Sequence, residues 1–250
     1  MDLFGNDLVA DLPFKHSLGS LTEASWDESA QGYRICVPNG NILFIENFFD
    51  AKASDRVLSY FQDNDTFDWR QGSWRQLGPA DYAGIQFKHI HWKQDFITLY
   101  GKRSPLPRLT SWYGDSGIPY TYSGIKSAPN AWNKGLLSIK QKVEERAGAL
   151  FNSVLLNWYR DGEDKISWHA DDEPELGHSP TIASVSFGAT RDFLIRNNDD
   201  HSLKLTFPLR HGSLLVMGGE LQHYWQHSVP PRKNAAGSRF NLTFRQIGGA

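Results

Sequence analysis

The sequence predicts a mostly β, α+β fold with a double-stranded β-helix core, the jelly-roll arrangement shared with cupins. Three features carry that prediction. The second half of the 250-residue chain breaks into eight short apolar runs at close intervals, with separators rich in Gly, Pro, Asp and Asn. An aromatic share of 13% together with 22 glycines favours a β-rich body. A hydrophobic share of 40% is enough to bury a substantial core in a chain of this length.

In chain order, residues 1–30 carry Asp2, Asp7, Asp11, Glu23, Asp27 and Glu28 against Lys15 alone, and they show little periodicity. They are expected to form a flexible acidic tail, with 31–250 a single domain. The alternation from Tyr33 to Val37, the turn signal Pro38-Asn39-Gly40-Asn41 and the run Ile42 to Ile45 predict a hairpin. Asp50 is placed to cap a helix whose apolar face uses Val57, Leu58 and Phe61. Residues 71–90 hold Gly72, Gly78, Pro79 and Gly84 and no clear period, which predicts a loop or lid. After Asn133, Leu136, Leu137, Ile139, Val143 and Ala147 fall on one helical stripe, so a helix over 135–147 is expected to pack outside the sheet. The eight candidate strands are 154–159, 166–169, 182–187, 192–196, 203–207, 213–217, 224–227 and 240–245, a jelly-roll core of about 153–247.

The single cysteine, Cys36, excludes an internal disulfide and suits a reducing compartment. The acidic opening from Met1 to Asp7 is followed by no long apolar run, so neither a signal peptide nor a membrane span is expected, and the reading is a soluble intracellular protein. The net charge of −2 hides an asymmetry, because residues 66–142 carry eleven basic groups against four acidic ones, interleaved with Trp69, Trp74, Trp92, Trp112, Tyr113, Tyr120 and Tyr122. Cations for phosphates beside rings for bases suggest a nucleic-acid surface, and a solvated basic face over an aromatic core fits the composition equally well.

His169 and Asp171 stand two apart, a spacing that puts both on one face of a strand and within reach of one metal ion. With nine histidines and 28 acidic residues, chance supplies about one such pair. Its position at the end of a candidate strand raises it, as does His227 on a later one. Two imidazoles and one carboxylate leave coordination positions open and suit Fe(II), with zinc a Lewis-acid alternative. On the last strand, Arg239, Asn241 and Arg245 stand an even number of residues apart and share a face, among Phe240, Leu242 and Phe244 on the other. A guanidinium there offers a bidentate fork for a carboxylate.

Several stretches then carry a resemblance to a known family: Pro107-Arg108-Leu109-Thr110, Trp112-Tyr113-Gly114, Tyr120-Thr121-Tyr122-Ser123, and Asn157 with Tyr159. The match continues through His169-Ala170-Asp171-Asp172-Glu173-Pro174, the run from Ile182 to Arg191, Trp225 to Pro230, and Arg239-Phe240-Asn241-Leu242-Thr243-Phe244-Arg245. Over about Pro107 to Ile247 the chain resembles the AlkB-type Fe(II)/2-oxoglutarate dioxygenases, which remove N-alkyl groups from nucleic-acid bases. Its wording looks most like the animal-type repair demethylases and their bacterial relatives.

The resemblance implies Fe(II), 2-oxoglutarate and O2 as cofactors, with His169, Asp171 and His227 as the iron ligands. It puts Arg239, Asn241 and Tyr159 on the distal carboxylate of 2-oxoglutarate, and Asn157 and Arg245 near its metal-bound end. Tyr122 with His169 would sandwich the damaged base, and Asp172 or Glu173 would touch its edge. Ser123, Arg108 and Tyr113 would join them in holding substrate, under a nucleotide-recognition lid of about 66–133 within a single catalytic domain. The expected reaction demethylates 1-methyladenine or 3-methylcytosine in DNA and possibly RNA, releasing formaldehyde, succinate and CO2. The protein is then expected to be monomeric, off the membrane, and cytoplasmic in a bacterium or nuclear in a eukaryote. The alternatives are a 2-oxoglutarate oxygenase acting on a protein, lipid or small molecule, and a catalytically silent nucleic-acid-binding module. His89 and His91 read as surface or phosphate contacts, His178, His201 and His211 as structural, and His223 as a non-ligand beside His227.

Overall fold

The computed structural model describes residues 12–68, 77, 81–82, 84–99, 102–118, 120–122, 125–233 and 237–248, with backbone alone at 21, 98–99, 102, 120–122 and 125–127. Two sheets face each other. The larger runs, in spatial order, β10 (Asn130–Ala131), β7 (Leu109–Gly114), β11 (Ser153–Tyr159), β18 (Arg239–Arg245), β13 (Ile182–Gly188), β16 (Ser213–Gly219), β4 (Gly40–Ile45), β3 (Gly32–Val37) and β2 (Glu23–Asp27). The smaller runs β1 (Lys15–His16), β15 (Lys204–Leu209), β14 (Arg191–Asn197), β17 (Trp225–Val229) and β12 (Ile166–His169). Two hairpins stand apart, β5 (Phe96–Leu99) with β6 (Lys102–Pro105), and β8 (Tyr120–Tyr122) with β9 (Ile125–Ser127).

All eight expected strands form, and they divide as a jelly roll requires. β11, β18, β13 and β16 lie together in one sheet, and β15, β14, β17 and β12 in the other. The hairpin expected over 33–45 is β3 and β4, and its turn uses Asn39 at φ 62°.

Strand periodicity separates two cores on either side of the larger sheet. On the outer face, Leu156, Trp158, Phe240, Leu242 and Phe244 meet the helices α1 (Ala51–Gln62) and α2 (Lys134–Ala147) through Phe61, Leu136, Ile139 and Val143. Trp158 is fully buried, with Phe240 at 4.9 Å and Trp92 at 5.5 Å between ring centroids. Asp50 caps the first helix as the sequence predicts, and Asn133 caps the second, a role the sequence reading had not assigned. Asp50 accepts from the Ala53 amide at 2.6 Å and Asn133 from the Leu136 amide at 2.9 Å, each satisfying an otherwise unpaired N–H. On the inner face, Phe44, Ile182, Phe193, Ile195, Phe207 and Leu215 close the space between the sheets.

One expectation needs correction, and two are narrowed. The segment 12–30 is built into both sheets rather than hanging free: β1 pairs with β15, β2 pairs with β3, and Phe14 and Leu18 are buried in the inner core. Residues 1–11 lie outside the described residues. Within the stretch expected to be loop or lid, Leu77, Tyr82, Ile85 and Phe87 pack into the outer core over Trp158, while 69–76, 78–80 and 83 lie outside the described residues. Of the rings expected to interleave a basic surface, Trp92, Trp112 and Tyr113 are buried. Several of its cations are ion-paired, Lys88 with Asp63 and Asp65, Lys93 with Asp95, and Lys140 with Glu144. For that part of the segment the aromatic-core reading holds.

Candidate metal centre and cosubstrate pocket

His169 ends β12 opposite His227 on β17, after a register irregularity in that pair. Ring centroids of the two histidines are 4.2 Å apart, and His227 stacks on Phe193. Asp171 follows two residues later, and one ligand atom from each of the three lies within 4.8 Å of the others. They form the one such cluster found among the described residues.

Each member is oriented by a neighbour. His169 Nδ1 lies 2.8 Å from the Ser167 carbonyl oxygen, which requires N–H there and leaves Nε2 as the lone-pair donor. Asp171 Oδ2 accepts from Arg245 Nη2 at 2.7 Å and Nε at 3.2 Å. Asp171 Oδ1 is buried without a hydrogen-bond partner among the described residues, and it faces His169 Nε2 at 4.0 Å. Burial by itself would raise the Asp171 carboxyl, but Arg245, then His227 and His169, outweigh it and hold it down to about 2. Burial pushes His227 down to about 3, and it also lowers His169. The cluster is therefore one carboxylate and two neutral imidazoles at neutral pH, the protonation state that metal ligands need.

Behind it lies a cavity lined by Asn157, Tyr159, Arg239, Asn241, Thr243 and Arg245 together with the three clustered residues. Cross-strand register explains the gathering. Asn157 stands opposite Asn241, Tyr159 opposite Arg239, and Ser186 and Ser184 opposite Asn241 and Thr243, and directly opposed residues share a face. Arg239 is 1% exposed; its Nη2 donates to Ser186 Oγ at 2.9 Å, while Nε and Nη1 are buried without hydrogen-bond partners among the described residues. Burial lowers this guanidinium to about 10, partly offset by Tyr159, so it remains a cation at neutral pH. Two desolvated donors on a fixed cation call for an anion, and a carboxylate fits that fork. Asn241 donates to Ser184 Oγ at 2.7 Å and the Val185 carbonyl at 3.1 Å. Asn157 Oδ1 accepts from Arg108 Nε at 2.8 Å.

Other expected site residues fall elsewhere. Arg108 is buried beneath Asn157, with one edge on an outer cavity. Tyr113 faces away from the pocket: opposite Val154, it lies in the outer core, where its hydroxyl accepts from the His91 amide at 3.0 Å. The physical reason is strand parity, since Thr110 and Trp112, not Tyr113, stand opposite Asn157 and Leu155. Glu173 lines the outer cavity, whereas Asp172 is exposed. Tyr122 lies in β8 and Ser123 outside the described residues; nothing further is described of either side chain. His223 is on the surface beside His178, and His89 stacks on Tyr60 at 4.0 Å with Asp63 at 3.2 Å.

Sequence reasoning missed Ser184 and Ser186, although two hydroxyls alternating within an apolar strand were a legible signal. It also missed Gln222, whose Oε1 accepts the Asp171 amide at 3.0 Å, and no pattern announced it.

A model of the 2OG-Fe(II) oxygenase superfamily matches residues 41–245. The chain belongs to that superfamily. It is similar to AlkB homologues: it is 45% identical over 181 residues to mouse alpha-ketoglutarate-dependent dioxygenase alkB homolog 3, covering 68% of this chain and 63% of that protein. It is 43% identical over 158 residues to human DNA oxidative demethylase ALKBH2, covering 60% of each. The chain thus spans about three fifths of the length of these curated relatives. An oxidoreductase of the 2OG-Fe(II) oxygenase family from Burkholderia pseudomallei superposes with a TM-score of 0.50 at 11% identity, over 84% of this chain and 89% of that one, a likeness of fold alone. Fe(II), 2-oxoglutarate and O2 are the cofactors of this superfamily, and the residues present fit them. Asp171 Oδ1 and the two imidazoles suit the metal, and the unpartnered donors of Arg239 suit the cosubstrate carboxylate.

Proposed function

We propose that this protein is an oxidative demethylase of N-alkylated bases of the 1-methyladenine and 3-methylcytosine type, acting on DNA and, as a second substrate, RNA. One observation carries the reading. The ligand His169 lines both the inner cavity and an outer cavity walled by Arg108, Lys165, Trp168 and Glu173. A base seated in the outer cavity would therefore present its edge to the metal cluster. The similarity to the mouse and human dioxygenases supports the same substrate class.

Bound Fe(II) with 2-oxoglutarate supplies oxygen activation, with succinate and CO2 as the products of the cosubstrate. The chain's own residues do the rest. Arg239 anchors the distal carboxylate, Asn241 and Tyr159 shape its pocket, and Asn157 and Arg245 bound the metal-proximal end. Glu173 sets a carboxylate beside the incoming base, which favours a cationic alkylated ring over its neutral parent. The oxidised methyl leaves as formaldehyde. Entry from a duplex requires flipping the base at a cost of a few kcal/mol, less for single strands or weakened pairs. An intracellular monomer is part of this proposal. Among the described residues no helix is long and apolar enough to cross a membrane.

The test is incubation with Fe(II), 2-oxoglutarate, oxygen and oligonucleotides bearing 1-methyladenine or 3-methylcytosine, single- and double-stranded, DNA and RNA, followed by mass spectrometry. Loss of one CH2 mass per lesion is expected. Cosubstrate turnover with every oligonucleotide mass unchanged would instead support a protein, lipid or small-molecule substrate.

A further inference from the structure

We propose that Gln222 is a positioning residue for the metal ligand Asp171, locking the segment that carries it to the connection that delivers His227. The inference rests on the reading of His169, Asp171 and His227 as metal ligands. Asp171 lies just past the end of β12, where no ladder partner remains for its backbone, and at 1% exposure it has no access to water. Its amide donates instead to Gln222 Oε1 at 3.0 Å. Gln222 is 2% exposed and sits in a single helical turn, Leu221–Tyr224, immediately before the strand that bears His227. A side chain 51 residues away in sequence thus supplies the acceptor that the sheet does not.

The amide's orientation is decided by chemistry. A backbone N–H can only donate, so the oxygen must face Asp171, and the nitrogen then points to Met217 Sδ at 3.7 Å, a weak acceptor that also lines the inner cavity. Asp171 is consequently held at two points, its backbone by Gln222 and its outer carboxylate oxygen by Arg245, so that Oδ1 faces the imidazoles. Gln222 touches no reacting atom. Its effect runs through ligand geometry, the kind of outer support whose loss weakens metal binding by tenfold to a hundredfold.

The experiment compares the wild-type chain with Gln222→Met, which keeps the length and loses the acceptor. Calorimetry with Co(II), run below the unfolding transition of both, is expected to show a dissociation constant raised about tenfold or more, with an altered Co(II) absorption spectrum. An unchanged constant and spectrum alongside a lowered Tm would make Gln222 a packing residue and overturn the proposal. Hydrogen exchange on the wild type adds a test that needs no variant. The Asp171 amide should be protected like a core strand amide, and exchange at the rate of an open loop would also overturn it. Failure of the wild type to bind Co(II), or tight binding that survives in His227→Ala, would instead sink the underlying metal reading.

Discussion

Arg245 grips the outer oxygen of Asp171, with Nη2 at 2.7 Å and Nε at 3.2 Å from Oδ2, and so leaves Oδ1 directed at His169 and His227. Resemblance placed Arg245 at the cosubstrate; the structure shows it orienting the Asp171 carboxylate. Both side chains are buried, so the pair has a sharp dependence on each partner. Removing one member of a buried pair strands the other charge, at about 3–5 kcal/mol. Arg245→Leu is therefore expected to lower unfolding stability by that amount in urea titration. A loss below about 1 kcal/mol would show that solvent reaches Asp171.

Alanine at His169, Asp171 or His227 removes one member of the single three-residue metal-binding cluster found among the described residues. Each variant is expected to lose demethylation and Co(II) or Fe(II) binding by calorimetry while keeping its fold by circular dichroism. Full activity in any one of them would remove that residue from the metal site.

Arg239 is the desolvated cation of the inner cavity, and a compact ammonium cannot reproduce its two unpartnered donors. Arg239→Lys is expected to weaken 2-oxoglutarate by about 2–5 kcal/mol, the range for truncating one side of a buried charge pair. The change should appear in the KM for 2-oxoglutarate and leave that for the oligonucleotide near its original value. The reverse pattern would relocate the cosubstrate.

The metal-free protein should lose stability as pH falls. Folded His227 resists protonation down to about 3, whereas the unfolded chain takes up that proton near the ordinary value of 6.5. The unfolded state therefore binds more protons between these values. The stability from a neutral buried His227 is fully present above 6.5 and declines as pH drops, at up to about 1.4 kcal/mol per unit for a single proton. Urea midpoints between pH 6.5 and 4.5 should fall less steeply in His227→Asn than in the wild type. Equal slopes would show that His227 is not the group responsible.

Tyr113→Phe separates the structural role of that ring from the substrate role that resemblance gave it. The variant loses the acceptor for the His91 amide, a net cost of about 1 kcal/mol. Its KM for methylated oligonucleotide should be unchanged; a several-fold rise would put Tyr113 in the substrate path.

Periodicity along single strands was legible in the sequence, which is why all eight core strands and the shared face of Arg239, Asn241 and Arg245 were anticipated, and residue type gave the cap Asp50 but not Asn133. The same rule applied to β7 would have turned Tyr113 outward, because Thr110 and Trp112 share the parity of Asn157 and Leu155. The family wording drew attention to the motif and away from its alternation. Composition misled over the acidic first segment, where polar residues outnumber the few, Phe14 and Leu18 among them, that anchor it in the inner core.

By itself, then, the sequence determined which residue types alternate on which strands, because a period of two is a local property of extended backbone. It named the three residues that gather into one cluster and the arginine beside them. Tertiary structure alone decided how those faces meet: that Ser186 rests on Arg239, that Arg108 backs Asn157, and that Gln222 closes on the Asp171 amide. Those contacts join residues 53, 49 and 51 positions apart, and a hydrogen bond over such distances depends on strand register and sheet packing, which no local pattern encodes.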